Sequence, residues 1–144
     1  MSEICFKLPE HTINYHNNSK LQYKWGIDLL EKCKHLFEKN DSVLDVGCGN
    51  GNITTQIIKY QPKIKSIIGI DGSSNQIDFA IKNNETKEIT YEVMKLNEIS
   101  FVNNFDIIFG CCIFHWISDQ KNIFVKIYEA LKNNGKFMFV GPAS

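Results

Sequence analysis

The sequence has no apolar run of about 18 residues, the length that a membrane-spanning helix needs. Its first residues also show no basic stretch followed by an apolar one, as a signal peptide would. Neither sign of charge is in excess, because Lys plus Arg and Asp plus Glu both total 16. A balanced chain has no field to recruit nucleic acid or an anionic membrane. We therefore expect a cytoplasmic protein with no nucleic acid and no membrane partner.

The sequence also lacks a C-x-x-C motif, and its five cysteines are an odd number. Such a distribution is typical of reduced, packed thiols rather than of a disulfide framework. Cys111, Cys112 and His115 form a cluster that offers three metal ligands. A structural zinc site needs about four ligands, and no second cluster follows. We predict that this cluster packs and that the chain has no metal site.

The most informative stretch is SVLDVGCGNGN at 42–52. A β-branched apolar run carries one acid, Asp45, and then meets glycines at Gly47, Gly49 and Gly51. Isoleucines at helical spacing follow. This order predicts a buried strand, a glycine loop and a helix, which is the first unit of a nucleotide-binding α/β sheet. A tight turn without a ligand is the alternative.

The glycine spacing disfavours the phosphate-binding loops. A dinucleotide fingerprint needs a glycine at position 52, where the chain has Asn52, and no Lys follows the glycines as in a P-loop. The D-x-G-x-G-x-G pattern resembles the first motif of the class I methyltransferases, which use S-adenosylmethionine. That ligand carries no phosphate, and its sulfur is a cation. Bare glycines and a carboxylate near its positive end suit it.

A second acid closes the next predicted strand, SIIGID at 66–71. Asp71 follows Gly51 at about the 20-residue distance at which an acid reaches the ribose hydroxyls in doubly wound sheets. Ser73 and Gln76 form a predicted capping box for the helix that follows. Asp71 is also placed to stabilise that helix through its dipole, and one carboxylate can serve both purposes.

The rest of the chain continues the alternation of helices and strands. We predict a first helix from about Ser19, an edge strand at 89–94, a central strand at 105–110, a helix capped by Ser118 and ended by Asn134 and Gly135, and a fifth strand at 136–140. The fold class is therefore α/β, with a doubly wound, mostly parallel sheet of five strands. We predict a single domain over 1–144, with an N-terminal helix at about 19–39 and a cofactor-binding core at about 41–144.

Residues 13–140 resemble the arthropod juvenile hormone acid O-methyltransferases, within the class I methyltransferases. The resemblance rests on Tyr15 and Gln22, on DVGCGNG at 45–51, on GIDGS at 69–73 and on HWISDQ at 115–120. It implies O-methylation of a small apolar, isoprenoid-like carboxylic acid with S-adenosylmethionine as cofactor. Because a carboxylate is already anionic at neutral pH, no catalytic base is predicted.

The resemblance also implies two sets of site residues. The cofactor-binding positions are Asp45, Gly47, Cys48, Gly49, Gly51, Asp71, Gly72, Lys95, Leu96 and Cys111. The substrate-binding positions are Gln22, His115 and Trp116. For Gln22 the alternative is a polar position on a packed helix, and for His115 it is a buried neutral side chain.

Two departures from the family pattern keep a second hypothesis open. The family has an acid where this chain has Lys95, which cannot accept a hydrogen bond from the adenine amino group. The family's last two strands are also missing, which would leave Phe137, Met138 and Phe139 on an exposed edge strand. We therefore keep a truncated, non-catalytic cofactor-binding domain as the alternative, and expect self-association through that edge. A subunit acting on RNA or protein has only the glycine loop in its favour.

Overall fold

The computed structural model describes residues 2–8, 18–114 and 117–142. Helices and strands alternate along most of this length. In chain order they are β1 (Ser2–Leu8), α1 (Asn18–Cys33), a 3-10 turn (Lys34–Leu36), β2 (Ser42–Val46), α2 (Thr54–Tyr60), β3 (Ser66–Asp71), α3 (Ser74–Asn83), β4 (Ile89–Val93), a 3-10 turn (Leu96–Glu98), β5 (Phe105–Cys111), α4 (Gln120–Ala130) and β6 (Leu131–Pro142).

Within the described residues, one sheet takes six strands in the order β1-β6-β5-β2-β3-β4. Every neighbouring pair is parallel. The central strand β2 is buried at all five positions, as expected for a parallel strand covered on both faces. The predicted parallel α/β sheet is confirmed, and β4 is the edge strand that its alternating pattern predicted.

Two apolar layers cover the two faces of the sheet. Leu29 of α1, Ile57 of α2 and Ile77 of α3 belong to one buried cluster. Ile123 and Ile127 of α4 belong to the other. Helices therefore lie on both faces, which makes the sheet doubly wound.

The strand order reverses between β2 and β5. From β2 the chain proceeds outward through β3 and β4, and it then returns to place β5 and β6 on the opposite side. The two strands that flank this switch point end side by side, with Val46 paired to Gly110. In open α/β sheets, ligands bind in the crevice outside the carboxyl ends of the strands at such a point.

The N-terminal strand β1 corrects the expectation of five strands and an open edge. It pairs with β6 in parallel from Ser2↔Lys136 to Leu8↔Pro142. Phe137 and Met138 are both 0 % exposed. The predicted exposed edge strand is therefore wrong, and the expected self-association loses its structural basis there. The pairing joins opposite ends of the chain, so no local pattern announces it.

Two helix boundaries also differ from the prediction. The first helix, predicted to about residue 39, ends at Cys33 and continues as a 3-10 turn. The last helix is capped by Asp119, whose carboxylate accepts from the Asn122 amide at 3.3 Å, rather than by Ser118. That helix ends at Ala130, before Asn134, because Leu131 already pairs with Phe105 of β5.

The helix cap predicted at Ser73 is confirmed. The Ser73 hydroxyl accepts a hydrogen bond from the backbone amide of Gln76 at 3.4 Å. This bond satisfies one of the free amides in the first turn of α3. It also places the start of α3 directly after Asp71.

Replacement of Phe137 by Ala is expected to destabilise the fold strongly. Its ring is fully buried, with centroids 4.8 Å from Phe139 and 5.4 Å from Phe114. Phe137→Ala should lower the free energy of unfolding by about 3–5 kcal/mol in urea denaturation. The matched control is Phe79→Ala, since Phe79 is 52 % exposed, and its effect should be below about 0.5 kcal/mol. Equal losses for the two variants would contradict the burial of Phe137.

Candidate functional site

The loop after β2 uses a backbone conformation that only glycine adopts freely. Gly47, Gly49 and Gly51 have φ values of 69°, 56° and 82°, all in the left-handed region. The Cys48 amide donates to the Ile70 carbonyl at 2.9 Å, and the Gly51 amide donates to the Cys48 carbonyl at 3.0 Å. The first bond holds the loop against the end of β3, and the second closes a turn within the loop.

The three glycines differ in what lies against them. A Cβ on Gly47 would overlap the Ile113 side chain, and one on Gly51 would lie 2.6 Å from the Tyr91 hydroxyl. A Cβ on Gly49 would meet nothing within 4 Å. Gly47 and Gly51 are therefore required by the protein's own packing. Gly49 faces open space, which is where a ligand can approach the backbone.

Asp71 connects the end of β3 to the glycine loop. Its Oδ2 accepts from the Gly49 amide at 3.0 Å, and its Oδ1 accepts from the Ser73 amide at 2.9 Å. The carboxylate is half-buried, so it still faces the cleft. Two backbone donors fix its position, and an ionised carboxylate retains further acceptor sites.

Asp45 lies deeper, beneath the same loop. It is 2 % exposed, and its Oδ2 accepts from the Thr54 hydroxyl at 2.7 Å. Burial raises the pKa of Asp45 to about 7, and the nearby negative charge of Asp71 adds to this effect, while the Thr54 bond opposes it. The cleft therefore contains a buried acid that titrates near neutral pH.

Two cavities open on either side of Gly47, which lines both. The larger one, of about 520 Å³, lies beside the ends of β3 and β4. Its other lining residues are Asp71, Gly72, Met94, Lys95, Leu96, Asn97, Ile113, Ile117, Ser118, Asp119, Asn122 and Ile123. The smaller one, of about 130 Å³, lies between the glycine loop and α1. Its other lining residues are Gln22, Tyr23, Asp45, Cys48, Gly49, Asn50, Asn52, Ile53, Gln76 and Cys111.

The structure brings most of the predicted site residues to these two cavities. The smaller cavity joins Gln22 and Cys111 to Asp45, Cys48 and Gly49. The larger joins Asp71 and Gly72 to Lys95 and Leu96. Gly51 supports the loop from behind, against Tyr91. His115 and Trp116 lie outside the described residues.

Lys95, where the resemblance led us to expect an acid, follows β4 closely. It lines the larger cavity, and its Cγ would lie 3.3 Å from a Cβ on Gly72. Its backbone amide donates to the Glu98 side chain at 3.0 Å, which begins the short turn that follows β4. Asn97 and Asp119 line the same cavity and supply polar side chains there.

Sequence reasoning missed two residues beneath the loop. Thr54 is fully buried at the start of α2 and holds Asp45. Tyr91 of β4 is 9 % exposed, and its hydroxyl has no hydrogen-bond partner among the described residues. The hydroxyl at the first helical position after the glycine loop was a usable signal for Thr54. For Tyr91 there was none, because its contact with the loop comes from sheet pairing.

The described ranges contain neither a candidate metal site nor a candidate membrane-spanning helix. No group of three or more His, Cys, Asp or Glu side chains there could hold a metal ion. No described helix is long and apolar enough to cross a membrane.

The fold and the cleft together place the chain among the α/β proteins that bind a ligand at a topological switch point. More narrowly, the chain belongs to the methyltransferase domain family, whose model matches residues 37–143.

Known proteins resemble the chain over most of its length. The chain is 32% identical over 133 residues to the malonyl-[acyl-carrier protein] O-methyltransferase of Calditerrivibrio nitroreducens, covering 87% of this chain and 48% of that protein. It is 23% identical over 129 residues to the corresponding protein of Bacillus cereus, covering 88% and 48%. The solved S-adenosylmethionine dependent methyltransferase from Mesorhizobium loti superimposes with a TM-score of 0.67 at 21% identity, covering 76% of this chain and 50% of that one. The chain thus spans about half the length of the curated relatives it matches.

The buried Asp45 predicts a pH dependence of stability. Its pKa is about 7 in the folded chain, against 3.8 for an ordinary Asp. Between these values the folded state holds a proton that the unfolded state has released. The free energy of unfolding should therefore fall as the pH rises from about 4 to about 7. Asp45→Asn keeps an oxygen acceptor for Thr54 and should reduce this fall.

Urea denaturation at about pH 5 and about pH 7 measures the difference. Asp78→Asn is the matched control, because Asp78 is exposed on α3, and it should retain the dependence of the unmodified chain. A fall that is the same in Asp45→Asn would contradict the assignment to Asp45.

Proposed function

We propose that this chain is the cofactor-binding part of an S-adenosylmethionine-dependent O-methyltransferase that esterifies a carboxylic acid. The observation that carries the proposal is the open space at Gly49, at a cleft with Asp71 on one side and Asp45 on the other. Membership of the methyltransferase domain family supports it. Relatives named as malonyl-[acyl-carrier protein] O-methyltransferases support the carboxyl acceptor.

The residues present fit this cofactor. The larger cavity has room for the nucleoside, with Asp71 to accept from the ribose hydroxyls and Gly72 and Leu96 beside it. The smaller cavity would take the amino acid end, where the chain offers Asp45, Cys48, Gly49 and Cys111. Gly47 lines both cavities, so its backbone, which carries no side chain, would lie beside the middle of the ligand. When bound, the cofactor supplies a methyl group made electrophilic by a sulfonium charge.

The raised pKa of Asp45 suits a cationic ligand. Burial favours the protonated form in the free protein, whereas a nearby cation favours the carboxylate. Binding of a positively charged amino acid end should therefore release a proton from Asp45. Affinity should rise with pH up to about 7, the pKa of this group.

The acceptor needs positioning rather than a base. A carboxylate is anionic at neutral pH, so it can attack the methyl group in line without giving up a proton. Gln22 lines the smaller cavity and offers an amide donor for that carboxylate. Its backbone is held because the Cys111 thiol donates to the Gln22 carbonyl at 3.3 Å. From the family resemblance, Trp116 would form a wall of the acceptor cleft, with His115 beside it.

For the acceptor itself, we propose a small apolar acid of isoprenoid type. This choice rests on the HWISDQ segment and its resemblance to the juvenile hormone acid methyltransferases. A malonyl thioester is the competing acceptor, on the names of the relatives. A domain that binds the cofactor without turnover is the second candidate function, favoured by Lys95 in the larger cavity.

Titration calorimetry with S-adenosylhomocysteine tests the cofactor site. Asp71→Ala should weaken binding by about 1–3 kcal/mol, because the ribose hydroxyls would be buried without their hydrogen-bond acceptor. Gly49→Ala should weaken binding at least as much, because its methyl group would occupy the open space. Asp78→Ala, on the exposed face of α3, is the control and should leave affinity unchanged. No binding by the unmodified chain, or binding indifferent to Asp71 and Gly49, would refute the proposed site.

Incubation with a labelled methyl donor tests the acceptor. Farnesoic acid should give a labelled methyl ester, and a malonyl thioester should give less or none. Trp116→Ala should raise the KM for farnesoic acid without changing cofactor affinity. A reversed preference would transfer the proposal to the malonyl class. Cofactor binding with no ester from either acid would favour the non-catalytic domain.

A further inference from the structure

Two neighbouring thiols meet at the carboxyl end of β5. The Sγ atoms of Cys111 and Cys112 are 3.7 Å apart. Consecutive residues of a strand point to opposite faces, so two such thiols would normally be far apart. Here β5 ends at Cys111, and Cys112 has a φ of 57°. The turn at Cys112 brings its thiol back beside that of Cys111.

The conformation of Cys112 is an unusual one for a residue with a side chain. A non-glycine residue in the left-handed region carries backbone strain, and such strain concentrates at functional positions. Cys112 is held there because its backbone amide donates to the Val140 carbonyl at 2.7 Å and its side chain is 3 % exposed in the core. The close approach of the thiols is thus built into the sheet edge.

The two thiols differ in access. Cys111 is half-buried and lines the smaller cavity together with Gln22, Asp45 and Cys48, which gives a small reagent a route to this residue. Cys112 is packed in the apolar layer with Trp25. A reagent would therefore meet Cys111 first, and Cys112 would be the next sulfur in reach.

We propose that Cys111 and Cys112 form a thiol–disulfide exchange site for small-molecule disulfides, which converts the pair to a vicinal disulfide. In the first step the Cys111 thiolate attacks one sulfur of the reagent, forming a mixed disulfide and releasing one thiolate. In the second step the Cys112 thiolate attacks the Cys111 sulfur and displaces the other half of the reagent. The protein is oxidised by two electrons, the reagent is reduced to two thiols, and those thiols take up the two protons.

The surroundings make this reaction slow at neutral pH. The neighbouring Cys112 thiol, burial, and the negative charge of Asp45 raise the pKa of Cys111. Because the thiolate is the nucleophile, the rate should increase as the pH rises.

Oxidation should also change the cofactor cleft, a consequence that depends on the proposed function. The Cys111 thiol is the donor to the Gln22 carbonyl, and the disulfide has no such hydrogen. Gln22 and Cys111 line the same cavity as Asp45. Closing the pair should therefore disturb the smaller cavity and weaken ligand binding about tenfold, the effect of roughly one lost hydrogen bond. A bound ligand should in turn shield Cys111.

The test uses the full chain and bis(2-hydroxyethyl) disulfide, followed by intact mass measurement and tryptic mapping. Cys111 and Cys112 lie on one tryptic peptide, residues 96–121, whereas Cys48 lies on another, residues 40–59. The expected product is the first peptide lighter by two hydrogen atoms and restored by a reductant. Cys112→Ala should stop at the mixed disulfide on Cys111. Cys33→Ala, which removes a buried thiol of α1, is the control and should react as the unmodified chain does.

A disulfide between Cys48 and Cys111, which would join the two peptides, would overturn the proposal. So would the absence of any loss of thiols from the 96–121 peptide at a raised pH at which the chain stays folded. Calorimetry with S-adenosylhomocysteine before and after oxidation measures separately whether the disulfide weakens ligand binding. If the reduced chain does not bind that ligand, the proposed function fails while the peptide map still decides the dithiol site. If it binds equally well in both forms, the link between the pair and the cleft is wrong.

Discussion

The structure depends on the abrupt turn at the end of β2. There the backbone leaves a fully buried strand through three left-handed glycines, with Ile113 packed against the first and Tyr91 behind the third. Only residues without a Cβ can run this close to both neighbours. The turn keeps the space at Gly49 open, because the loop is held from β3 by the Ile70 carbonyl and the Asp71 carboxylate. A side chain at Gly49 would fill the open space of the cleft, and one at Gly47 or Gly51 would displace Ile113 or Tyr91.

Two acids lie on either side of this turn, and they differ in burial and in hydrogen-bond partners. Asp71 is half-buried and accepts from two backbone amides, which leaves a fixed carboxylate facing the larger cavity. Asp45 is buried with one hydroxyl partner, and burial brings its pKa near neutrality. The first is suited to hold neutral hydroxyl groups. The second responds to a cation, since a nearby positive charge adds to the Thr54 hydrogen bond in offsetting the cost of ionising it in the interior.

The carboxyl end of the sheet gathers groups that are remote in sequence. Gln22 comes from α1, Asp45 from β2 and Cys111 from β5, yet all line one small cavity. They meet because parallel strands end at the same edge and because the strand order reverses between β2 and β5. The proposed cofactor site and the proposed dithiol site therefore share an edge, and the hydrogen bond from the Cys111 thiol to the Gln22 carbonyl connects them.

The local pattern of the sequence by itself determined the parallel sheet, the glycine loop, the acids at the ends of β2 and β3, and the cap at Ser73. These follow from runs of apolar residues and from turn chemistry, which act within a few residues of the chain. Only the tertiary structure decided that β1 covers β6, that Tyr91 lies behind Gly51, and that Cys111 and Cys112 face each other. Each of these depends on long-range pairing or on one backbone angle set by its surroundings, and the free energy that selects them comes from burial of distant segments against one another.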